Sequence, residues 1–524
     1  MNALYNCAFA DPWLDVANVL KNEHGIDPVY WIGYDDDNSK ELIPEKFPGI
    51  VYHDYFNAWK GVFPEKIETL AQKKSVGLEL YKKLAPFELS GLSIMDRMDM
   101  DWESFCYAER RMLFRKFLRY WSVVIDLFKI DYLISPTVPH RSFDYPLYLI
   151  CKEKGIKIIS FISTPFNNAG RIVGVSDIFK TSQKIKKEYE TFDRNDKIDA
   201  IAEDIKVYIE KINKSYADAK PENFKEYNRF YGKSPSLIMT GRKFFYELNV
   251  KRSIWFGKTG WLWKGVPSYT KEKKKRVEES RIRLNLISYI FKIYKRIMIL
   301  KSLKREYLKI SVNPDLNSDY VIYALHYQPE ATTTPKAGIF SDQLYVLELL
   351  SKHLPDDWNI YIKENPKQFN PIAEGNTGRM LRFYRDALKF PKVFFIAEDT
   401  DPFKIIDKSK AVITIAGTMG WESMIRKKPV ICFGPAWYEH FTHGVLRIKD
   451  EDDLNKITDF IKNFKYSEKE LMIYLKAVEN NSFNAYFRRG LKSVLNINDK
   501  ICINSLVEHT VKHFGLTFPK KKRD

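Results

Sequence analysis

The chain has 524 residues, 45% of them hydrophobic and 15% aromatic, so it is too long for one ordinary domain and too apolar to be disordered. Lysine and arginine exceed the acidic residues by 18, which suggests an anionic partner only where the surplus is clustered. The five cysteines are far apart and form no CxxC pair, which argues against a disulfide framework or a cysteine zinc site. No signal peptide and no membrane-spanning run of roughly 18 to 20 apolar residues is visible. We expect a cytoplasmic multidomain protein.

Residues 1–175 alternate short apolar runs with amphipathic stretches. The predicted elements are Ala3–Phe9 (strand), Trp13–Asn22 (helix), Pro28–Ile32 (strand), Tyr132–Ser135 (strand), Tyr145–Lys154 (helix) and Ile156–Ile162 (strand). Gly155 suits the position just after a helix, where the left-handed backbone is common. The order strand, helix, strand predicts βαβ units and a first α/β domain with a parallel sheet.

Residues 176–318 become long, charged and mostly helical, and include an aromatic patch at Trp255, Trp261 and Trp263. This composition predicts a helical insertion between two domains. Within it, the segment Lys271–Lys309 spaces apolar residues at helical intervals with lysine and arginine between them. Its apolar positions are Leu286, Ile290, Ile293, Ile297 and Leu300. Such a helix suits an anionic surface on the inner face of the plasma membrane, or packs on the protein with a solvated basic face.

Strands and helices alternate again over residues 319–466, which predicts a second doubly wound α/β domain. The predicted strands are Tyr320–Leu325, Trp358–Ile362, Lys392–Ile396, Ala411–Ala416 and Pro429–Phe433, and the predicted helices are Ser341–His353, Phe403–Ser409 and Trp421–Arg426. Residues 467–524 are expected to form closing helices and a basic tail, Lys520–Arg523. Open parallel sheets bind ligands at the carboxyl ends of their strands, so the site should lie there.

The most informative motif follows the apolar strand Ala411–Ala416. Gly417, Thr418 and Gly420 come directly after it and open a helix, which leaves backbone N–H groups and the helix dipole available to an anion such as a nucleotide phosphate. Glu422 is placed to accept hydrogen bonds from a ribose diol, or else it only stabilises its own helix dipole. A glycine turn alone also serves tight packing between a strand and a helix.

With its flanking residues, this motif resembles the capsule polysaccharide biosynthesis proteins, a family that includes Kdo transferases. The residues that carry the resemblance are Gly417, Thr418, Gly420, Glu422, Lys428, Pro429, Val430, Phe433 and Gly434, with HYQPEATTTP (His326–Pro335) and YIKENP (Tyr361–Pro366) upstream. The resemblance implies the GT-B fold, in which two Rossmann-like domains face a cleft and the carboxyl-terminal one binds a nucleotide-sugar donor. Asn365 departs from the family's usual histidine before proline, which puts a CMP-linked acidic donor in doubt.

Two further candidates follow strands of the second domain. His326, Gln328 and Glu330 come after Tyr320–Leu325, where they could hold a pyrophosphate or a sugar hydroxyl, although an ordinary polar loop has the same composition. Lys363 ends the next strand, where it would neutralise phosphate charge or lie solvated at the surface. We predict catalytic roles for His326 and Glu330 and donor contacts for Gln328 and Lys363.

For an inverting transfer, the family resemblance implies that the amino-terminal domain supplies a general base. Asp11 follows the first strand and is the first candidate, with helix capping as the alternative because Pro12 comes next. His140 and Asp144 in PHRSFDY are the next candidates. Arg171, just past the strand Ile156–Ile162, would meet an anionic group of the acceptor or donor across the cleft.

No obligatory metal or cofactor is predicted. Asp399, Thr400 and Asp401 match the DxD metal signature superficially, but Pro402 makes helix capping by Asp401 the better account. The pair His509 and His513 lacks a third ligand, and the histidines near Trp437 have only one adjacent acid. No nucleic-acid motif accompanies the basic charge, so nucleic acid is not an expected partner.

These features predict a metal-independent glycosyltransferase that transfers a sugar from a nucleotide sugar to a surface polysaccharide or a lipid-linked glycan. Two alternatives remain open. A sugar-nucleotide 2-epimerase shares the architecture and the nucleotide pocket but needs acid and base groups around the sugar. A non-catalytic assembly factor would use the fold as a scaffold and would bind no nucleotide.

Overall fold

A computed structural model describes residues 1–33, 38–97, 106–219, 286–369, 375–487, 491–492, 495 and 497–516. The chain divides into two compact units. The first (unit 1) comprises Met1–Met95, Phe105–Ile205 and Met472–Asp524, and the second (unit 2) comprises Lys206–Leu471 with a short segment that starts at Asp96. The division passes within two helices, Glu203–Lys214 and Glu468–Asn480.

Unit 1 contains a seven-stranded sheet in the order β14-β6-β5-β4-β1-β2-β3. Its strands are β1 (Asn2–Asn6), β2 (Asp27–Gly33), β3 (Val51–Asp54), β4 (Ile130–Ser135), β5 (Lys157–Ser163), β6 (Arg171–Val175) and β14 (Phe483–Asn484). The first five pair in parallel, whereas β6 and β14 add antiparallel strands at one edge. The strand order reverses between β1 and β4, so the loops after these two strands flank the switch point where doubly wound sheets bind ligands.

The helices of unit 1 cover the sheet and bury its apolar residues. They are α1 (Ala10–His24), α2 (Ser39–Lys46), α3 (Tyr55–Lys60), α4 (Glu65–Gln72), α5 (Leu78–Leu84), α6 (Glu88–Ile94), α7 (Tyr107–Leu127), α8 (Asp144–Glu153), α9 (Gln183–Thr191), α10 (Glu203–Lys214), shared with unit 2, and the later α20 (Asp499–Phe514). Trp13 of α1 is fully buried and donates its indole N–H to the Phe487 carbonyl at 3.0 Å. The carboxyl-terminal segment therefore belongs to this core.

Unit 2 contains a seven-stranded sheet in which all pairs are parallel. Its strands are β7 (Ser311–Val312), β8 (Tyr320–Ala324), β9 (Asn359–Lys363), β10 (Val393–Ile396), β11 (Ala411–Thr414), β12 (Val430–Cys432) and β13 (Val445–Arg447). Their order is β13-β12-β11-β8-β9-β10-β7, so the six strands from β8 to β13 follow the 3-2-1-4-5-6 order of dinucleotide-binding domains. The switch point lies between β8 and β11.

The helices of unit 2 pack on this sheet. They are α11 (Tyr216–Ala219), α12 (Leu286–Ile310), α13 (Gln343–His353), α14 (Leu381–Ala387), α15 (Pro402–Lys408), α16 (Thr418–Ile425), α17 (Glu451–Asn455), α18 (Ile457–Asn463) and α19 (Glu468–Asn480), which continues into unit 1. Leu300, Leu303 and Tyr307 place one face of α12 in the core, against strand residues such as Val321 and Ile413. Continuous apolar runs such as AVIT and YVIYA suit strands that are covered on both faces.

The predicted fold class is confirmed, because two α/β units each contain a mainly parallel, doubly wound sheet. The predicted strands and helices agree with the structure to within a few residues, and Gly155 has the left-handed backbone expected after a helix, with φ of 70°. The predicted domain boundaries group residues 467–524 separately, whereas the structure places Met472–Asp524 in unit 1.

Several predictions lie outside the described residues. They are the aromatic patch at Trp255, Trp261 and Trp263, the segment 271–285 and the basic tail 520–523. Among the described residues, no helix is both long and apolar enough to cross a bilayer.

Candidate functional site

The loops after β8 and β11 meet at the switch point of the unit 2 sheet. Ala324 and Thr414 are partners at the last paired positions of the two strands. His326 and Ala416 lie two residues beyond these strand positions and are still neighbours. The Ala416 N–H donates to His326 Nε2 at 3.1 Å. The structure thus brings together two motifs that are about ninety residues apart in sequence.

The turn from β11 into α16 begins with Gly417. Its N–H donates to Thr414 Oγ1 at 3.1 Å, and a Cβ at this position would lie 2.8 Å from that oxygen, so a side chain is excluded. Gly417 makes no side-chain cap, and no partner lies among the described residues for the N–H groups of Thr418 and Met419. These two amides point out of the positive end of the helix dipole, where an anion would be stabilised.

Gly420 has a different role from the predicted anion contact. A Cβ there would lie 2.3 Å from the Tyr438 hydroxyl, which donates to the Gly417 carbonyl at 2.5 Å. The absence of a side chain at Gly420 therefore lets Tyr438 pack against the first turn of α16.

Glu422 is half-buried in the second turn of α16. Burial raises the pKa of its carboxyl to about 7, and a hydrogen bond from the Thr418 hydroxyl offsets part of this shift. Its negative charge also acts on two half-buried phenols of unit 2, those of Tyr208 and Tyr216. Burial, reinforced by Glu422, raises the pKa of Tyr216 to about 12 and that of Tyr208 well above its usual range. A carboxyl group, that of Glu422, thus lies near two tyrosines, on α10 and α11.

His326 is almost fully buried and holds the turn in place. Because the Ala416 amide can only donate, Nε2 is the acceptor and the neutral ring carries its proton on Nδ1. Nδ1 faces the Glu330 carboxylate at 3.6 Å and the Thr332 hydroxyl at 3.5 Å. The structure therefore places this predicted catalytic histidine in a positioning role between the two loops.

The Glu330 side chain is 37% exposed and so remains accessible to a ligand. Burial acts to raise the pKa of this carboxyl, but His326, Thr332 and the Lys367 cation outweigh burial and lower it. Glu330 is therefore an accessible carboxylate at the switch point.

A buried ion pair supports the loop after β8. Arg379 Nε donates to Glu364 Oε2 at 3.0 Å, and both side chains are almost completely buried. The same guanidinium donates to the Gln328 amide oxygen at 3.0 Å and to the His326 carbonyl at 3.1 Å. Gln343 binds the backbone of His326 on both sides, through N–H at 2.8 Å and C=O at 3.1 Å. The donor contact predicted for Gln328 is thus replaced by a contact inside the protein.

Lys363 also differs from its prediction. Its ammonium group donates to the carbonyls of Glu398 and Thr400, each at 3.1 Å, and the side chain is 8% exposed. These contacts stabilise the loop after β10. Lys363 therefore has a structural role in place of the predicted phosphate contact.

In unit 1, Asp11 follows β1 on the switch-point side of the sheet. Its carboxylate accepts from Tyr486 at 3.3 Å and lies 3.4 Å from the Lys492 ammonium. The side-chain contacts are made with the carboxyl-terminal segment rather than with the first turn of α1, so the capping alternative does not describe them. The catalytic role of Asp11 stays a prediction.

The other unit 1 candidates are held by their neighbours. Asp144 is fully buried and accepts from the backbone N–H groups of His140 at 2.9 Å and Arg141 at 2.5 Å. Burial raises its pKa, and Arg141 offsets part of this effect. His140 Nδ1 donates to the Val138 carbonyl at 2.6 Å. Asp144 thus fixes the predicted PHRSFDY loop and cannot reach an acceptor in this arrangement.

Arg171 forms a bidentate pair with Asp204, with nitrogen–oxygen distances of 2.7 and 2.8 Å, and a further bond to the Ser482 hydroxyl at 3.2 Å. All three residues belong to unit 1. The predicted contact with an anionic substrate group is therefore replaced by a buried structural pair.

The predicted capping role of Asp401 is confirmed, because its carboxylate accepts from the Phe403 N–H at 2.8 Å and Pro402 begins α15. Among the described residues, no group of three histidine, cysteine, aspartate or glutamate side chains is arranged to hold a metal ion.

Sequence reasoning missed four residues near the switch point, namely Lys336, Glu364, Arg379 and Glu439. Glu364 and Lys336 lie within or next to the quoted motifs YIKENP and HYQPEATTTP, so their positions were available. Burial was not, because charged residues in polar loops usually lie at the surface.

Residues 274–447 match the family model described as capsule polysaccharide biosynthesis protein. The predicted resemblance to this family is confirmed. The capsule-family segment contains both switch-point loops, from His326 to Glu422, and it includes α12. A search of curated protein sequences found no match.

Several solved structures show distant similarity to this chain. The KpsC β-Kdo 2,7 transferase of Thermosulfurimonas dismutans is 12% identical, with 75% of this chain and 90% of that chain covered and a TM-score of 0.30. The UDP-GlcNAc 2-epimerase of Methanocaldococcus jannaschii is 12% identical, with 91% and 97% covered and a TM-score of 0.23. Values this low assign no activity to this protein.

Proposed function

We propose that this protein is a glycosyltransferase of surface polysaccharide synthesis, which takes a sugar from a nucleotide-sugar donor bound by unit 2. The observation that carries the proposal is the switch point between β8 and β11, where the capsule-family segment presents an open helix N-terminus beside Glu330 and Glu422. The names of the capsule family and of the distantly similar transferase agree with this chemistry.

The arrangement of the unit 2 site suits the phosphate, the ribose and the sugar of a nucleotide-sugar donor. The Thr418 and Met419 amides, at the positive end of α16, would bind a phosphate oxygen. Glu422 lies one turn further along the helix and would accept hydrogen bonds from a ribose diol, once its carboxyl is ionised above pH 7. Glu330 is the exposed carboxylate and would contact the sugar. The proposed transfer uses no metal ion.

The acceptor is proposed to bind unit 1 at the loops after β1 and β4, the switch point of that sheet. Asp11 is the carboxylate proposed to act as general base there. An acceptor hydroxyl attacks the anomeric carbon of the donor as a base removes its proton, and the nucleotide leaves with the electrons of the broken bond. The acceptor is a polysaccharide or lipid-linked glycan.

A thermal-shift screen against UDP-, GDP-, CMP- and dTDP-sugars at pH 8 tests the proposal, since a ligand that binds only the folded state raises its apparent stability. We expect one nucleotide class to raise the melting temperature of the wild type and of the matched control Glu348→Ala, an exposed carboxylate on α13. The Glu422→Ala variant should lose most of this shift. Transfer of radiolabelled sugar from the donor so identified to a capsule or glycolipid acceptor extracted from cells then separates a transferase from an epimerase.

Absence of any shift, or an equal shift in Glu422→Ala, would contradict the proposed donor site. Isomerised nucleotide sugar formed without an acceptor would replace transfer with epimerisation.

We also propose that an anionic membrane surface is a partner, through the exposed face of α12. Tyr294, Met298 and Ile299 are exposed there although apolar, and Lys295 and Arg305 lie on the same side of the helix. The predicted apolar positions Ile297 and Leu300 lie on the opposite side and are buried, which agrees with the alternative in which that face packs on the protein. A cytoplasmic protein held at the inner face of the plasma membrane would meet lipid-linked acceptors there.

A further inference from the structure

The helices α5, α6 and α7 of unit 1 expose several large apolar side chains. Leu78, Leu89, Tyr107 and Met112 are between 63% and 75% exposed, and they are four of the five most exposed large apolar side chains among the described residues. Single exposed apolar residues are common on protein surfaces, whereas a cluster of them marks an interaction site. These four mark such a site if they lie together.

The carboxylate of Glu88 joins the three helices. It lies at the start of α6, accepts from the Tyr81 hydroxyl of α5 at 3.1 Å and accepts from Arg111 Nε of α7 at 2.9 Å. We call Tyr81, Glu88 and Arg111 the Glu88 joint. Close packing reinforces it, because a Cβ at Gly91 of α6 would lie 2.4 Å from the Phe114 ring of α7. The three helices therefore form one connected surface.

The four exposed apolar residues flank the Glu88 joint. Leu89 and Met112 each follow a residue of the joint directly in sequence, and Leu78 and Tyr107 each lie about one helical turn before one. The guanidinium carbon of Arg111 lies 5.8 Å from the centre of the Tyr107 ring. The four side chains thus belong to one exposed surface, which we call the α5–α7 face.

Basic residues border the α5–α7 face. Lys73 and Lys74 precede α5 and Arg115 lies on α7, and all three are exposed and form no ion pair with a described residue. By contrast, the Glu79 carboxylate of α5 pairs with Lys82 at 3.1 Å. Residues 73–119 contain ten lysines and arginines and seven acidic residues, so the surplus is three positive charges. The face therefore combines exposed apolar groups with unpaired positive charge.

We infer that the α5–α7 face binds an anionic membrane surface, with its apolar side chains at the boundary of the acyl chains and its basic residues on anionic headgroups. Membrane anchors that lie in the interface combine these two features. The inference rests on the proposed function in one respect, because unit 1 is the proposed acceptor unit and a lipid-linked acceptor has its lipid in the membrane. It adds a contact in unit 1 to the one proposed for α12 in unit 2.

The positive charge favours a membrane over a second copy of the chain. In a twofold dimer the same surface of both copies would meet, so Lys73, Lys74 and Arg115 of one copy would share an interface with the same residues of the other. Like charges brought together in an interface weaken association. Anionic headgroups supply the opposite charge instead.

Cys106 allows a test in the full-length protein. It is exposed and directly precedes Tyr107, whereas the other four cysteines are buried. An environment-sensitive maleimide dye on Cys106 is titrated with vesicles made of equal parts phosphatidylglycerol and phosphatidylcholine. The emission should rise and shift to the blue as the dye leaves water, and the titration gives the affinity for the vesicles.

Two sets of substitutions separate the apolar from the basic contribution. The double variant Leu89→Asp and Met112→Asp should weaken vesicle affinity by about 10-fold, because two apolar side chains no longer leave water. Lys73→Gln with Lys74→Gln should weaken it by about 5-fold for each lost charge. Ile501→Asp, at a similarly exposed apolar residue of α20 in the same unit, is the matched control and should keep the affinity.

Unchanged emission of the dye, even where the protein binds vesicles, would overturn the inference. Equal affinity in the Leu89→Asp and Met112→Asp variant, or an equal response to pure phosphatidylcholine vesicles, would also overturn it. A wild type that dimerises without vesicles through these two residues would assign the face to a second copy.

The titration needs no donor, so its failure leaves the donor site in place. A protein that responds to the vesicles as expected but binds no nucleotide supports the α5–α7 face although the proposed function fails.

Discussion

At the residue scale, Glu422 is a carboxyl of the proposed donor site whose protonation changes with pH. Its pKa in the folded protein is about 7, against an ordinary value of 4.5, because the carboxyl is buried. Between these two pH values the unfolded chain releases the proton while the folded chain retains it. The contribution of the Glu422 carboxyl to the free energy of unfolding is therefore fully present below pH 4.5 and is lost as the pH rises through 7. At roughly 1.4 kcal/mol for each tenfold change in proton affinity, the loss is on the order of 3 kcal/mol.

We expect the Glu422→Gln variant to lose less stability than the wild type between pH 4.5 and 8, because glutamine does not titrate. Thermal melts of both proteins across this range, with Glu348→Gln as an exposed control, measure the difference. Parallel stability curves for wild type and Glu422→Gln would show that the buried carboxyl does not titrate with a raised pKa.

At the element scale, most of the strands and several of the helices were predictable from the sequence. The strands of both sheets are short, continuous apolar runs between turn residues, and this pattern depends only on local sequence. The two switch points were not predicted as such, because strand order depends on pairing between distant segments. They nevertheless lie beside the motifs that follow β8 and β11 in unit 2 and β1 and β4 in unit 1.

Side-chain partners account for the part of the site that sequence reasoning did not predict. Arg171 pairs with Asp204 and Ser482, the second of which is 311 positions away, and Lys363 binds two carbonyls of a different loop. Charged residues at strand ends look alike in sequence whether they contact a ligand or another part of the chain. Only the three-dimensional partners show that the charge of Lys363 is satisfied within the protein.

We expect the exposed face of α12 to bind an anionic membrane surface. Flotation with vesicles that contain phosphatidylglycerol should recover the wild type, and recovery should fall with added salt because part of the attraction is electrostatic. The Met298→Asp variant places a negative charge among the exposed apolar residues and should reduce recovery several-fold, whereas Ile501→Asp on α20 should not. Equal recovery with neutral phosphatidylcholine vesicles, or full recovery of Met298→Asp, would contradict a role for this face.

At the scale of the whole molecule, the chain returns to its first unit at the end. The sheet of unit 1 is extended by β14, and its core includes Tyr486, Leu506 and Val511, which come after all of unit 2 in sequence. Trp13 near the amino terminus binds the backbone of Phe487. Unit 1 therefore depends on residues that follow unit 2 in sequence, whereas the switch-point residues of unit 2 lie within one continuous stretch from 320 to 447.

This arrangement predicts that damage to the carboxyl-terminal helix acts on unit 1 selectively. Leu506 is fully buried, so Leu506→Ala should cost about 2 to 5 kcal/mol through lost contacts and the cavity that remains. Hydrogen exchange should then accelerate in β1, β4 and α1, while β8 and β11 keep their protection and the donor nucleotide still binds. Ile501→Ala, on the exposed face of the same helix, is the control and should leave both units unchanged. An equal loss of protection in β8 and β11 would mean that the two units unfold as one, so that changes in unit 1 would also weaken the donor site.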